Sequence, residues 1–235
     1  MKLIKYLANL GYGSRKQVAQ LFQEGRITTI DGVCAHPLMA LPHAHLRIDG
    51  QKLDPPFGMC LLLHKPIGYT CSTSDPGPLV GSLLPPRFSR RRPQLTSVGR
   101  LDKDTSGLLL FTDDGQLLHR LISPRSHIGK YYQATLAYDL RGDEIACFAS
   151  GQLWLKGEKA PLQPAELTPL GGRRVSLTLY EGRYHQVRRM FAAMGNKVLT
   201  LHRTQLGGLS LGSLPSGRWR LISTDELGLI WTQTQ

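Results

Sequence analysis

The sequence predicts an α+β protein with two unequal parts, the larger built on a mainly antiparallel sheet. Short strand-like and helix-like segments follow one another without the regular β-α-β alternation of a doubly wound fold. The 235-residue chain is 41% hydrophobic, which is enough for a packed core. Residues 50–58 (GQKLDPPFG), with two prolines between glycines, interrupt the pattern and indicate a boundary between two parts.

The first 30 residues predict two short helices followed by a strand. Apolar residues recur at helical spacing from Leu3 to Leu10, and glycines then end that helix. Ser14 and Gln17 have the spacing of a capping box, which predicts the start of a second helix. Gly25 stands where a C-terminal cap is expected, and residues 26–30 predict a strand.

We place the domain boundary in residues 50–58, which we expect to be a linker with little reason to pack. The predicted domains are residues 1–58 and residues 59–235. The first carries 7 Lys+Arg against 4 Asp+Glu, and the second carries 22 against 13, so both are basic. Residues 85–94 (PPRFSRRRPQ) predict a mobile loop that is suited to phosphate contact.

The larger part predicts short strands with helices and loops between them. Apolar and β-branched runs predict strands at 60–64, 107–112, 131–137, 152–156, 175–180, 198–202 and 219–222. Amphipathic spacing predicts helices near 116–122, 143–150 and 185–194.

The charge of the chain calls for an anionic partner. The net charge is +12 and the sequence pI is about 9.8, so a polyanion is attracted through phosphate neutralisation. Nucleic acid is the first candidate and an anionic membrane the second. Because the chain lacks an apolar run of roughly 20 residues and a signal-peptide pattern, we expect a cytoplasmic protein without a membrane partner.

The scattered cysteines predict neither disulfides nor a zinc site.

The segment 99–115 (GRLDKDTSGLLLFTDDG) is the most informative. Asp102 precedes a bend into a very apolar strand, where a carboxylate is partly desolvated and Arg100 or another nearby basic residue can keep it ionised. Such a group suits nucleophilic or general-base chemistry. An aspartate in a loop is also often a turn residue, and Asp102 with Asp104 lacks a third metal ligand at recognisable spacing.

The segment 181–195 (EGRYHQVRRMFAAMG) predicts an amphipathic helix. One face carries Val187, Met190, Phe191 and Met194, which indicates core packing. The opposite face is basic, and it is either a solvated surface, a phosphate grip or the partner of a buried carboxylate. Two further segments are Lys130-Tyr131-Tyr132, where a tyrosine could be core or a platform for a flipped base, and the turn of residues 64–68.

These segments, in this order, resemble the signature of bacterial ribosomal RNA pseudouridine synthases. The pattern is Lys-Pro-x-Gly, then GRLDxxTxGLLLxTxDG, then K-x-Y, then EGRYHQVRRM, and it extends through residues 59–235. The branch it is most similar to is the RsuA type, which acts on small-subunit RNA. Residues 1–58 resemble an S4 RNA-binding domain, although Ile4 stands where many such domains have Asp.

The resemblance implies roles for individual residues. Asp102 would be the catalytic carboxylate, Tyr132 the aromatic that packs on the target base, and Arg188 the basic partner of Asp102, where charge matters more than identity. The residues predicted to contact RNA are Arg15, Lys16, Lys65, Arg100, Arg183, His185 and Arg189.

The implied reaction isomerises uridine to pseudouridine without a cofactor or metal. The implied partner is ribosomal RNA, 16S by preference, bound by a monomer. The alternatives are a 23S synthase of the same family and a non-catalytic S4-type assembly factor. A glycosidase or nuclease would need a second carboxylate or metal ligands, for which Glu181 is the one tempting partner.

Overall fold

A computed structural model describes residues 2–72 and 74–232, and its N-terminal part contains the two predicted helices. Helix α1 is Leu3–Asn9 and helix α2 is Arg15–Gln23. The capping box is confirmed, because the Ser14 hydroxyl accepts from the Gln17 backbone N–H and the Gln17 side chain accepts from the Ser14 N–H. Both helices therefore begin and end close to where local sequence signals place them.

A small antiparallel sheet packs with these helices. Its strands are β1 (Ile27–Thr29), β2 (Leu46–Ile48) and β3 (Gln51–Lys52), in the order β1-β2-β3. The two helices and the sheet share an apolar cluster that contains Leu3, Leu7, Leu10, Val18, Ile27, Ala35 and Leu46. The N-terminal part thus has a core of its own, while its assignment as an S4-type domain stays a prediction.

The predicted linker is packed rather than free. The buried guanidinium of Arg91 donates to the carbonyls of Pro55 and Pro56, each at 3.0 Å, and pairs with Asp113 at 2.7 Å. The Gly58 N–H donates to the same Asp113 carboxylate at 2.9 Å. The expectation of an unpacked linker was wrong, because proline carbonyls remain good acceptors even where proline offers no N–H.

The loop of residues 85–94 is ordered by the contacts of Arg91 and by two further sets of hydrogen bonds. Arg87 forms two hydrogen bonds with the Asp54 carboxylate, at 2.7 and 2.9 Å, and the Arg92 N–H donates to the Asn9 carbonyl at 2.8 Å. The prediction of a mobile loop was wrong, because the Asp54 and Asp113 carboxylates hold Arg87 and Arg91 in place. The predicted phosphate contact was wrong for Arg91, which is fully buried.

The larger part contains one mixed sheet of nine strands among the described residues, which confirms the α+β class. Its strands are β4 (Cys60–Lys65), β5 (Thr96–Ser97), β6 (Thr105–Thr112), β7 (Lys130–Leu136), β8 (Glu166–Pro169), β9 (Arg174–Leu179), β10 (Val198–Leu206), β11 (Leu209–Ser210) and β12 (Trp219–Leu221). The order is β12-β4-β6-β10-β7-β9-β8, with β5 paired to β6 and β11 to β10.

All pairs in this sheet are antiparallel except β6 with β10, whose parallel register aligns Gly107 with Arg203. Gly107 has a φ of 115°, and a Cβ there would collide with the backbone of Arg203. Glycine is therefore required for β6 and β10 to approach. This pairing sets the N-terminal ends of the two strands side by side, which is where the candidate site lies.

The alternation of side chains divides the core into two layers, one on each face of the sheet. One face carries Leu61, Leu63, Leu109 and Phe111, and the other carries Leu62, Leu108 and Leu110. Because both faces are covered, β6 reads as a continuous apolar run instead of an alternating one.

Four helices flank the sheet: α3 (Gly115–Ile122), α4 (Asp143–Ala149), α5 (Gln186–Ala193) and α6 (Thr224–Leu229). The first three helices were predicted, whereas α6 and the strands β5, β8 and β11 were not. The strand predicted at 152–156 was wrong, because that segment is a loop in which the Trp154 indole N–H donates to the Glu158 carbonyl at 3.2 Å. No helix in residues 2–72 and 74–232 is both long and apolar enough to cross a membrane.

Candidate active site

The loop before β6 presents the Asp102 carboxylate. Its neighbour Leu101 is buried in the core at 5% exposure, whereas the Asp102 side chain keeps 31%. The Thr105 N–H donates to the Asp102 carbonyl at 3.0 Å and closes a turn. Asp102 therefore stands at the mouth of a buried strand, as predicted, with its carboxylate open to a substrate and its backbone fixed.

Lys65 holds this loop from beneath. Its side chain is fully buried, and Nζ donates to four backbone carbonyls at 2.7 to 3.3 Å, those of Pro66, Asp102, Lys103 and Thr105. Burial lowers the pKa of this ammonium. The predicted RNA contact of Lys65 was wrong, because a buried amine with these acceptors cannot reach a phosphate. Lys65 instead fixes the backbone that carries Asp102.

Arg188 of α5 holds the same loop from the side. Its two terminal nitrogens donate to the carbonyls of Val198 and Asp104, each at 3.0 Å. The guanidinium thus joins the start of β10 to the loop before β6. Its predicted direct pairing with Asp102 was wrong. The planar guanidinium spans two backbone acceptors, and among the described residues Arg188 forms no ion pair with Asp102.

His185 is the basic residue that faces the carboxylate. Its Nε2 lies 3.5 Å from Oδ1 of Asp102, and its side chain is 40% exposed. His185 precedes α5 and has a left-handed backbone, with a φ of 47°. The structure therefore brings together two of the predicted site residues, Asp102 and His185, although the sequence analysis assigned His185 to RNA contact.

Arg183 and Arg189 belong to a network of carboxylates. Arg183 binds Glu181 at 2.9 Å and Glu158 at 3.2 Å, and Arg189 binds Glu158 at 2.6 Å. These guanidiniums, Arg189 first, hold the pKa of Glu158 below its usual range. The prediction that both arginines contact RNA is not supported, because most of their donors are taken by protein acceptors. They instead fix the turn that precedes α5.

Tyr132 lies in the same apolar layer as Leu101 and Val187. It is 8% exposed on β7, opposite Leu177 of β9 and Arg203 of β10. One layer of the core thus connects the strand of Tyr132, the Asp102 loop and α5. The role of Tyr132 toward a base stays a prediction.

Three predicted RNA-contact residues are exposed. Arg15 and Lys16 lie in the first turn of α2, and Arg100 precedes the buried Leu101 in the loop of Asp102. Their charge is available to an anionic partner.

Sequence analysis missed Glu158 and Tyr184. Glu158 gives no local signal, because its importance arises when a loop folds back on α5. Tyr184 lies within the quoted motif and could have been noticed as an aromatic residue next to His185. Its ring stacks on the His185 ring, with centroids 3.9 Å apart and an interplanar angle of 15°.

The fold and the site together define a class of RNA-modifying enzyme. Residues 59–193 match the family described as RNA pseudouridylate synthase, so the chain belongs to that family. A Yersinia pestis protein named ribosomal small subunit pseudouridine synthase A is 42% identical, over 98% of each chain. A protein of the same name from Escherichia coli (strain K12) is 39% identical, over 98% of this chain and all of its own.

A solved structure described as a crystal structure of pseudouridylate synthase has the same overall fold. It shares 35% identity and a TM-score of 0.69, over 98% of this chain and 99% of its own. The family resemblance and the enzyme class predicted from the sequence are thereby confirmed.

Proposed function

We propose that this protein isomerises a uridine of small-subunit ribosomal RNA to pseudouridine, with Asp102 as its catalytic carboxylate. The observation that favours this proposal most directly is the way in which two basic side chains hold the backbone of the Asp102 loop. Lys65 binds its carbonyls from below, Arg188 binds it from the side, and the carboxylate itself stays accessible. A carboxylate that is held so firmly while remaining open is preorganised for chemistry.

The reaction exchanges one glycosidic bond for another. The bond from C1′ to N1 breaks, the uracil rotates, and a bond from C1′ to C5 forms while C5 gives up its proton and N1 gains one. Atoms and electrons balance within the nucleotide, so the reaction itself consumes no cofactor. The Asp102 carboxylate assists cleavage either by attacking the sugar or by removing a sugar proton, and both routes need its ionised form.

The uridine has to leave its stack to reach the carboxylate, at a cost of a few kcal/mol. We propose that Tyr132 stacks on the flipped base, which offsets about 1–3 kcal/mol. Bound RNA then excludes water from Asp102, and an N–H on the neighbouring His185 Nε2, 3.5 Å away, would interact more strongly with the carboxylate in that drier site.

The exposed basic residues Arg15, Lys16 and Arg100 are proposed to bind RNA phosphates. Residues 1–58 would act as an S4-type RNA-binding domain and residues 59–235 as the synthase domain. The names of the two relatives favour the small-subunit RNA as substrate. We further propose a monomer that works in the cytoplasm, where ribosomal RNA is modified.

The test is to incubate the purified protein with unmodified small-subunit and large-subunit RNA, and to map pseudouridine by carbodiimide-dependent primer-extension stops. We expect one stop in the small-subunit RNA. Stops in the large-subunit RNA alone would contradict the substrate, and RNA binding without any stop would favour a non-catalytic assembly factor.

Asp102→Asn should abolish the stop and leave RNA binding intact. The matched control is Asp104→Asn, which removes the same charge from an exposed side chain two residues further along the loop. We expect this control to remain active. An active Asp102→Asn variant would overturn the assignment of the catalytic carboxylate.

A further inference from the structure

We propose that Tyr184 is a stacking platform for an unpaired nucleobase adjacent to the target uridine. This inference rests on the proposed function, because it assumes that the strand entering the site is RNA. Tyr184 is 73% exposed although it stands next to His185 within the quoted motif. Neither the catalytic chemistry nor the packing of the core uses its ring.

The position of Tyr184 relative to Asp102 is defined by two contacts. The Tyr184 ring lies against the His185 ring, with 3.9 Å between centroids, and His185 Nε2 lies 3.5 Å from the Asp102 carboxylate. One side chain therefore separates the platform from the catalytic carboxylate. A strand that delivers a flipped uridine to Asp102 brings its neighbouring nucleotide to Tyr184.

The platform is held rigidly before RNA arrives. The Tyr184 carbonyl accepts from Arg189 at 3.1 Å, and the Arg183 N–H donates to the Gln186 side chain at 2.8 Å. The Gln186 amide in turn donates to Glu181 at 2.9 Å. This network orders the turn of residues 183–186, so stacking on Tyr184 requires little further loss of conformational freedom.

An aromatic face with such surroundings suits a nucleobase. His185 covers one face of the Tyr184 ring, and the exposure of the ring leaves the other available for stacking. Base–aromatic stacking tolerates any base, because every base has a π-face. The chain is strongly basic at +12, which draws the phosphates of an RNA strand toward this surface.

The test compares Tyr184→Ala with Tyr184→Phe in the full chain, by the rate of pseudouridine formation in unmodified small-subunit RNA. We expect Tyr184→Ala to lower kcat/KM by roughly 5- to 150-fold, the effect of losing one stacked base. The loss should be in KM, since the stack forms both before and during the reaction. Tyr184→Phe keeps the π-face and should stay close to wild type.

The control is Tyr138→Ala, which removes an exposed tyrosine (64%) outside the site and should change neither constant. A loss in kcat instead of KM would mean that Tyr184 acts only by positioning His185, and would overturn the platform.

A second measurement detects the stack without catalysis. Once the modified uridine is mapped, 2-aminopurine is placed at each adjacent nucleotide of an RNA fragment. Wild type should quench its fluorescence at one of the two positions, and Tyr184→Ala should not. Equal quenching by both proteins would overturn the platform alone, whereas a wild-type chain that makes no pseudouridine would overturn the proposed function.

Discussion

The guanidinium of Arg91 and the carboxylate of Asp113 form an ion pair of 2.7 Å in which neither side chain is exposed to solvent. Arg91 also binds the carbonyls of Pro55 and Pro56, and Asp113 also accepts from the Gly58 N–H. This single pair therefore connects residues 50–58 and residues 85–94 with the end of β6.

Replacing one partner of this pair should destabilise the protein strongly. Asp113→Asn leaves the buried Arg91 charge uncompensated, and we expect the free energy of unfolding to fall by about 3–5 kcal/mol, measured by urea denaturation. The control is Asp139→Asn, which breaks an exposed pair of 3.8 Å with Arg173 and should cost less than about 1 kcal/mol. Equal effects of the two substitutions would show that the buried pair does not anchor the linker.

Gly107→Ala should disrupt the parallel pairing of β6 with β10. The added methyl group would collide with the Arg203 backbone, and the φ of 115° strains any residue with a side chain. We expect a loss of at least about 2 kcal/mol in urea denaturation. Gly172→Ala separates the two effects, because Gly172 also has a positive φ (55°) but no heavy atom within 4 Å of the added Cβ. A similar cost at both glycines would argue against the collision.

Local signals in the sequence predicted much of the fold. Three such signals were confirmed: the Ser14–Gln17 capping box, the apolar run of β6 and the amphipathic stripe of α5. Each of them is contained in a short stretch of sequence. The strand predicted at 152–156 failed because its pattern was local, whereas its conformation depends on the fold of the whole loop.

The candidate site was predictable in its residues but not in its contacts. The acceptors of Lys65 include carbonyls 37 to 40 residues away, and those of Arg188 lie 10 and 84 residues away. Spacing along the chain cannot show which of several basic residues meets a given oxygen. Spacing therefore could not predict that His185, and not Arg188, faces Asp102.

The stability of the protein should depend on the charge of Lys130 at alkaline pH. Burial, and then the nearby charge of Arg203, lowers the pKa of Lys130 to about 8 from 10.5. Between these values the unfolded chain binds more protons than the folded one. The free energy of unfolding therefore rises with pH in this window, by at most about 1.4 kcal/mol per pH unit from this group. Well below pH 8 both states are protonated and the dependence disappears.

Comparison with Lys130→Met isolates this contribution. The difference in unfolding free energy, wild type minus variant, should increase between about pH 7.5 and about pH 9.5. Lys159→Met, at an exposed position, should show a constant difference. A constant difference for Lys130→Met as well would mean that this amine titrates normally in the folded protein.

Arg188→Lys should lower kcat while leaving KM nearly unchanged. The guanidinium reaches the carbonyls of Val198 and Asp104 together, each at 3.0 Å, and the single ammonium of lysine lacks the fork that spans them. Losing one charged hydrogen bond costs about 1.5–3 kcal/mol, which corresponds to roughly 10- to 150-fold in rate if the Asp102 loop is displaced. Single-turnover kinetics on the RNA substrate would measure this, with Arg173→Lys as an exposed control. Full activity of Arg188→Lys would instead show that positive charge alone suffices at this position, as the family resemblance implied. The bridge from α5 to the Asp102 loop would then contribute to stability and not to the rate.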